Sequence, residues 1–128
     1  MFADLSGKVA LVTGGGQGLG LGIVLKLAGQ GADIAIGDLS DENAAAAAKQ
    51  VEALGRKAYV ANMNVTDKGT IAAAVEKFNS EAGQIDILVN NAGVAGAPGS
   101  TGTGFRDVDW DFTWQVNVKG LADVTEAV

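Results

Sequence analysis

The run Thr13-Gly14-Gly15-Gly16-Gln17-Gly18-Leu19-Gly20 places glycine at three points where a strand turning into a helix needs it. Gly14 admits the tight turn. Gly18 lets backbone amides approach a diphosphate with no Cβ in the way, and Gly20 lets the helix lie close on the strand. Gln17 and Leu19 sit between them. Twenty residues beyond Gly18 stands Asp38, at the end of the next apolar run. A carboxylate there accepts both hydroxyls of a ribose, each charge-assisted bond being worth roughly 1.5–3 kcal/mol. A 2′-phosphate would meet repulsion instead, and no Arg or Lys at Gly15, Gly16, Gln17 or Leu39 offsets it. The pair therefore predicts a dinucleotide, NAD in preference to NADP. A glycine-rich turn alone also serves as a plain connector; the strand before it, the helix after it and the acid that follows give it meaning.

Two asparagine groupings come later. Asn90-Asn91-Ala92-Gly93 closes an apolar run, where an asparagine-glycine exit from a strand is the plain reading. Asn117, in Val116-Asn117-Val118-Lys119-Gly120, falls inside a helical pattern that asparagine mildly disfavours.

The elements that position these residues follow from periodicity. Residues 8–13, 33–37, 57–63 and 85–90 read as strands, each continuously apolar, as strands covered on both faces are. Helices are predicted over 18–30, 41–54, 67–82 and from 107 to the end. Ile71, Ala74, Val75 and Phe78 mark the inner face of the third, and Gly83 stops it. Ser40, Asp41 and Glu42 cap the second, which closes before Gly55. The order β-α-β-α-β-α-β-α predicts an α/β fold, a Rossmann-type parallel sheet with helices on both faces, incomplete at about four strands and four helices. No linker or repeat divides residues 1–128, read as a single dinucleotide-binding half domain. The segment 92–104, loose and glycine-rich around Pro98, leaves the fourth strand where ligand loops sit.

Composition removes other classes. The balance of 9 Lys+Arg against 15 Asp+Glu gives a net charge of −6 with no basic stripe, so nucleic acid is not an expected partner. Without Cys or His there is no thiolate or imidazole for catalysis, and no metal site is expected. No apolar run approaches the roughly 20 residues of a membrane span, and residues 1–8 carry no secretory pattern, so a cytoplasmic protein is expected.

These residues together resemble the amino-terminal half of the short-chain dehydrogenase/reductase family over essentially the whole chain. Thr13-Gly14-x-x-x-Gly18-x-Gly20 matches its cofactor motif, Asn90-Asn91-Ala92-Gly93 its second signature, and Asn117 its helix-borne asparagine. The resemblance implies an oxidoreductase moving hydride between a nicotinamide cofactor and an alcohol or carbonyl. Gly14, Gln17, Gly18 and Leu19 would line the diphosphate and ribose, with Asp38 on the ribose hydroxyls. Asn91, Ala92 and Gly93 would approach the ribose. Asn64 and Val65 stand where the family has Asp-Val against the adenine; an amide at Asn64 would still accept from the adenine amino group, without charge assistance. Asn117 would support a proton relay through a water.

The family's serine and its Tyr-x-x-x-Lys lie beyond residue 128. The only tyrosine, Tyr59, is followed four residues later by Met63 and reads as a core aromatic. Hydride transfer by this chain alone is therefore expected to be slow. A fourth strand lacking its next neighbour is an exposed edge, and the last helix carries Trp110, Trp114, Val118 and Leu121 on one line and Phe112 and Val116 on another. Self-association into a homo-oligomer is expected. Two other readings remain: a free-standing dinucleotide-binding or assembly module without turnover, and a binder of S-adenosylmethionine, which also uses a glycine turn and an acid after the second strand.

Overall fold

The computed structural model describes residues 4–93 and 110–128. Four strands, β1 (Val9–Thr13), β2 (Asp33–Asp38), β3 (Ala58–Asn62) and β4 (Ile87–Val89), form one parallel sheet in the order β3-β2-β1-β4. Register pairs Leu11 with Ala35 and with Leu88, and Ile36 with Val60. The chain steps outward from β1 through β2 to β3, then returns to the other side of β1. At that reversal the strand ends part, and the crevice of a doubly wound sheet lies there.

The helices are α1 (Gly18–Gly29), α2 (Asp41–Ala53) and α3 (Lys68–Ala82), followed by a helical stretch of three parts. That stretch runs as α4 (Trp110–Trp114), a π-helical segment (Gln115–Gly120) and α5 (Leu121–Ala127). Alternating strand residues send Ala10, Val12, Ile34 and Ile36 to one face, against Val24 and Ala28 of α1 and Ala44, Ala47 and Val51 of α2. Leu11 and Ala35 go to the other, against Val116, Val124 and the four α3 residues that periodicity selects, Ile71, Ala74, Val75 and Phe78.

The termini follow local chemistry. Ser40 Oγ accepts from Asn43 N–H at the start of α2, and Asp67 accepts from Gly69 and Thr70 at the start of α3. Gly55 and Gly83 end these helices at φ of 79° and 93°.

Three expectations need correcting. Only β1 is buried throughout; β2 is buried along its middle four residues, and β3 and β4 are at most half-buried because each has one strand neighbour. Tyr59 is accordingly half-buried and packs on the edge of the α3 cluster, not within it. β4 is three residues long, not six; just before it, Asp86 donates its N–H to Val9 O and accepts the Val9 N–H on its side chain, both at 2.9 Å. Of the expected loop 92–104 and the start of the last helix at 107, the parts between residues 94 and 109 lie outside the described residues.

Candidate functional site

A cleft of about 640 Å³ opens at the carboxyl ends of the strands, within the range of small-molecule sites. Gly14, Gln17, Gly18, Leu19, Gly20, Asp38, Asn64, Val65, Asn91, Ala92 and Gly93 all line it. Asn117 is not on that wall. It lies behind it, where a Cβ on Gly93 would stand 3.3 Å from its Oδ1.

The wall is tied together by hydrogen bonds between strand ends. Thr13, 2 % exposed, accepts on its hydroxyl from Asn91 N–H at 3.1 Å and Ala92 N–H at 3.0 Å, which fixes β4's exit against β1. The Asn91 side-chain amide donates to Gly14 O at 3.1 Å, and Gly14 N–H donates to Gly37 O at 2.7 Å. Glycine's role at two positions is visible in the geometry. Gly14 has φ of 67°, and a Cβ on Gly20 would stand 2.1 Å from Gly14 O.

Above this floor, α1 begins without a side-chain cap at Gln17 and without an acidic residue in its first turn. In α2 and α3, by contrast, Ser40 and Asp67 serve as side-chain caps. The amino end of α1 thus opens on the cleft with no side-chain cap from Gln17. Gln17 is held to one side, its Oε1 accepting from the Asn43 amide at 3.1 Å.

Asp38 is fixed from two directions. One carboxylate oxygen accepts from Gly16 N–H and the other from Ser40 N–H, both at 2.9 Å. Each oxygen keeps lone-pair capacity for a further donor. A Cβ on Gly16 would come within 2.7 Å of Asp38 Oδ2, so this loop tolerates the carboxylate only with glycine there.

Asn64 lies in a tight turn: its Oδ1 accepts from Thr66 N–H at 2.9 Å and from the Thr66 hydroxyl at 2.6 Å. Asn117 is placed differently: it sits in the π-helical segment, whose wider turn often marks functional positions. Gly120, in the same segment, packs so closely that a Cβ there would lie 2.7 Å from Val65 O, so the helix buttresses the cleft wall.

Sequence reasoning gave no role to Thr13, Gly37, Leu39, Met63, Thr66 or Val116, of which all but Thr13 line the cleft. Thr13 had a signal, a hydroxyl ending an otherwise apolar buried strand. Leu19 and Leu39, 77 % and 67 % exposed, flank the mouth and offer apolar cover to a bound ring.

A glycine-opened βαβ unit, an acid ending β2 and a cleft at the sheet's reversal define a Rossmann-like fold with its crevice. The family model for short chain dehydrogenases matches residues 8–128, and the chain belongs to that family. It is 40 % identical over 124 residues to the 3-oxoacyl-[acyl-carrier-protein] reductase FabG of Thermotoga maritima, covering 97 % of this chain and 50 % of that protein. An L-2,3-butanediol dehydrogenase of Corynebacterium glutamicum is 48 % identical over 90 residues, 69 % of this chain and 35 % of that one. Among solved structures, NAD+-bound xylitol dehydrogenase superposes with a TM-score of 0.86 at 35 % identity, over 97 % of this chain and 47 % of that one. Carveol dehydrogenase from Mycobacterium avium, in complex with NAD, gives 0.84 at 28 %, over 98 % and 49 %. The chain spans about half the length, or less, of these relatives. Among the described residues no helix is long and apolar enough to cross a membrane.

Proposed function

We propose that this chain is the NAD-binding portion of a short-chain oxidoreductase acting between an alcohol and a carbonyl. One observation carries the reading: the uncapped amino end of α1 and the doubly anchored carboxylate of Asp38 open into the same cleft. A diphosphate fits the free amides, and the adjoining ribose fits a carboxylate acceptor. The cradle that a Cβ on Gly20 would fill belongs to the same arrangement.

When bound, the nicotinamide supplies or takes up a hydride. The chain's own residues do the holding. Gly14, Gln17, Gly18, Leu19 and Gly20 bind and orient the diphosphate end. Asp38 selects an unphosphorylated ribose by repelling a 2′-phosphate, since Gly15, Gly16, Gln17 and Leu39 bring no cation near it. Asn91, Ala92 and Gly93 hold the second sugar on the Thr13 hydroxyl's side of the cleft, with Asn117 behind them as a positioning residue for a water.

The 128 residues contain no Tyr-x-x-x-Lys. By themselves they are proposed to bind cofactor without appreciable turnover. Isothermal calorimetry tests the reading. NAD should bind, NADP should bind more weakly, and Asp38→Ala should lose roughly tenfold or more in NAD affinity. Absence of NAD binding, or an Asp38→Ala variant with undiminished affinity, overturns it. A competition arm with S-adenosylmethionine separates the methyltransferase-like reading, in which that ligand displaces NAD.

A further inference from the structure

We propose that Asn43 is a positioning residue for the dinucleotide: from the first turn of α2 it holds the Gln17 side chain, and with it the glycine loop, in the shape that receives the diphosphate. This rests on the cofactor reading above.

Asn43 is the third helical residue of α2, after the cap Ser40 and the acids Asp41 and Glu42. A polar side chain at that position commonly reaches back to the N–H of the cap residue. Here that N–H is already given to Asp38 Oδ1, at 2.9 Å. The Asn43 side chain leaves its own helix instead, and its amide donates to Gln17 Oε1 at 3.1 Å.

A ring of hydrogen bonds results. Gly16 N–H donates to Asp38 Oδ2 at 2.9 Å, and the other oxygen of that carboxylate accepts from Ser40 N–H. Ser40 Oγ accepts from Asn43 N–H at 3.1 Å, and the Asn43 amide returns to Gln17, the neighbour of Gly16. Packing closes at the same point, since a Cβ on Gly16 would stand 2.9 Å from Asn43 Cβ. With the Asn43 amide removed, the ring opens at Gln17, whose side chain is exposed.

Gln17 precedes the first residue of α1 and lines the cleft. A freed glutamine at that point samples rotamers across the amino end of α1, and a ligand must then order both side chain and loop on binding. A tethered one is ordered before the ligand arrives, which removes that cost. Asn43 itself is not on the cleft wall, so its effect on a ligand runs through Gln17.

Asn43→Ala tests this cleanly, because it deletes the amide and keeps the Cβ that meets Gly16. By calorimetry the variant should bind NAD roughly three- to tenfold more weakly than the native chain, the range expected for one such hydrogen bond. Its Tm should stay within about 3 °C of native, because alanine is the better helix former and the Ser40 cap is untouched. In a Gln17→Ala background the same substitution should change NAD affinity by less than about twofold, since no side chain is left to hold. A Tm lowered beyond that range, failure to fold included, marks Asn43 as a support of α2 alone and overturns the proposal. Undiminished affinity in Asn43→Ala, or an equal loss in the Gln17→Ala background, overturns it too. Each of these results leaves the cofactor reading standing, whereas a native chain that binds no NAD overturns both.

Discussion

Two glycines of α1 separate what glycine does for a site from what it costs a helix. Gly20 lies where a Cβ would stand 2.1 Å from Gly14 O and 2.5 Å from the Asn91 side-chain amide, whereas Gly22 has open space on every side. Gly20→Ala must push backbone from backbone, an overpacking cost of typically about 1–3 kcal/mol and more where nothing yields. It also displaces the Asn91 bond that joins the glycine loop to β4. Gly22→Ala is expected to stabilise by about 0.5–1 kcal/mol, because alanine loses less entropy on entering a helix. Thermal melts and NAD titrations of the two variants should therefore part: a lowered Tm with weakened binding for Gly20→Ala, a raised Tm with binding intact for Gly22→Ala. Equal effects would contradict the close packing of helix on loop. The glycines and Asp38 were legible in the sequence because each residue type answers a steric or electrostatic demand that spacing alone locates. Asn64 was not. Its amide oxygen pairs with Thr66, which folds back two residues, and residue type carries no sign of such a turn.

Elements were legible to the extent that burial depends on period. The inner face of α3 emerged as expected because a helix on a sheet buries a stripe set by 3.6 residues per turn. Strand position within the sheet did not, since residues 57–63 and 85–90 are as apolar as the central strands and an edge is a property of neighbours. The π-helical segment left no trace either, because one wider turn changes register without changing composition. At the start of β4, the Asp86 side chain accepts from Val9 N–H beside its own backbone bond to Val9 O. The Val9 N–H bond, then the Gln84 amide, hold its carboxyl below the usual carboxylate range, against a small opposing effect of desolvation and with slight help from Lys8. A depressed folded value means that this contribution is fully present above the unfolded carboxylate range, near pH 4. It is lost as pH falls through the folded value. Asp86→Asn should accordingly be less stable than the native chain at neutral pH, with the difference shrinking on acidification below about pH 4. Urea midpoints across a pH series measure it, and a gap that widens on acidification would reverse the sign and refute the assignment.

At the scale of the whole molecule, a doubly wound sheet asks for cover on both faces, and here α1 and α2 supply one while α3 and the final helix supply the other. The final helix has further apolar surface to cover. Val116, Gly120 and Val124 are buried inward, whereas Trp114, Val118 and Leu121 are 58 %, 44 % and 44 % exposed. Single exposed apolar residues are ordinary, but a tryptophan, valine and leucine on one helix form a patch of the kind that drives association. The chain's net charge of −6 opposes self-association through mutual repulsion. Salt screens that repulsion without weakening apolar contact. Self-association, proposed here through this helix, should consequently strengthen as salt is raised, the opposite of an assembly held by ion pairs. Sedimentation velocity over a concentration and salt series is expected to show species heavier than the monomer. Trp114→Glu combined with Leu121→Glu should return the chain to monomer. Neither residue lines the cleft, so NAD affinity should survive that change. A native chain that stays monomeric at every salt concentration would leave this face without the partner assigned to it.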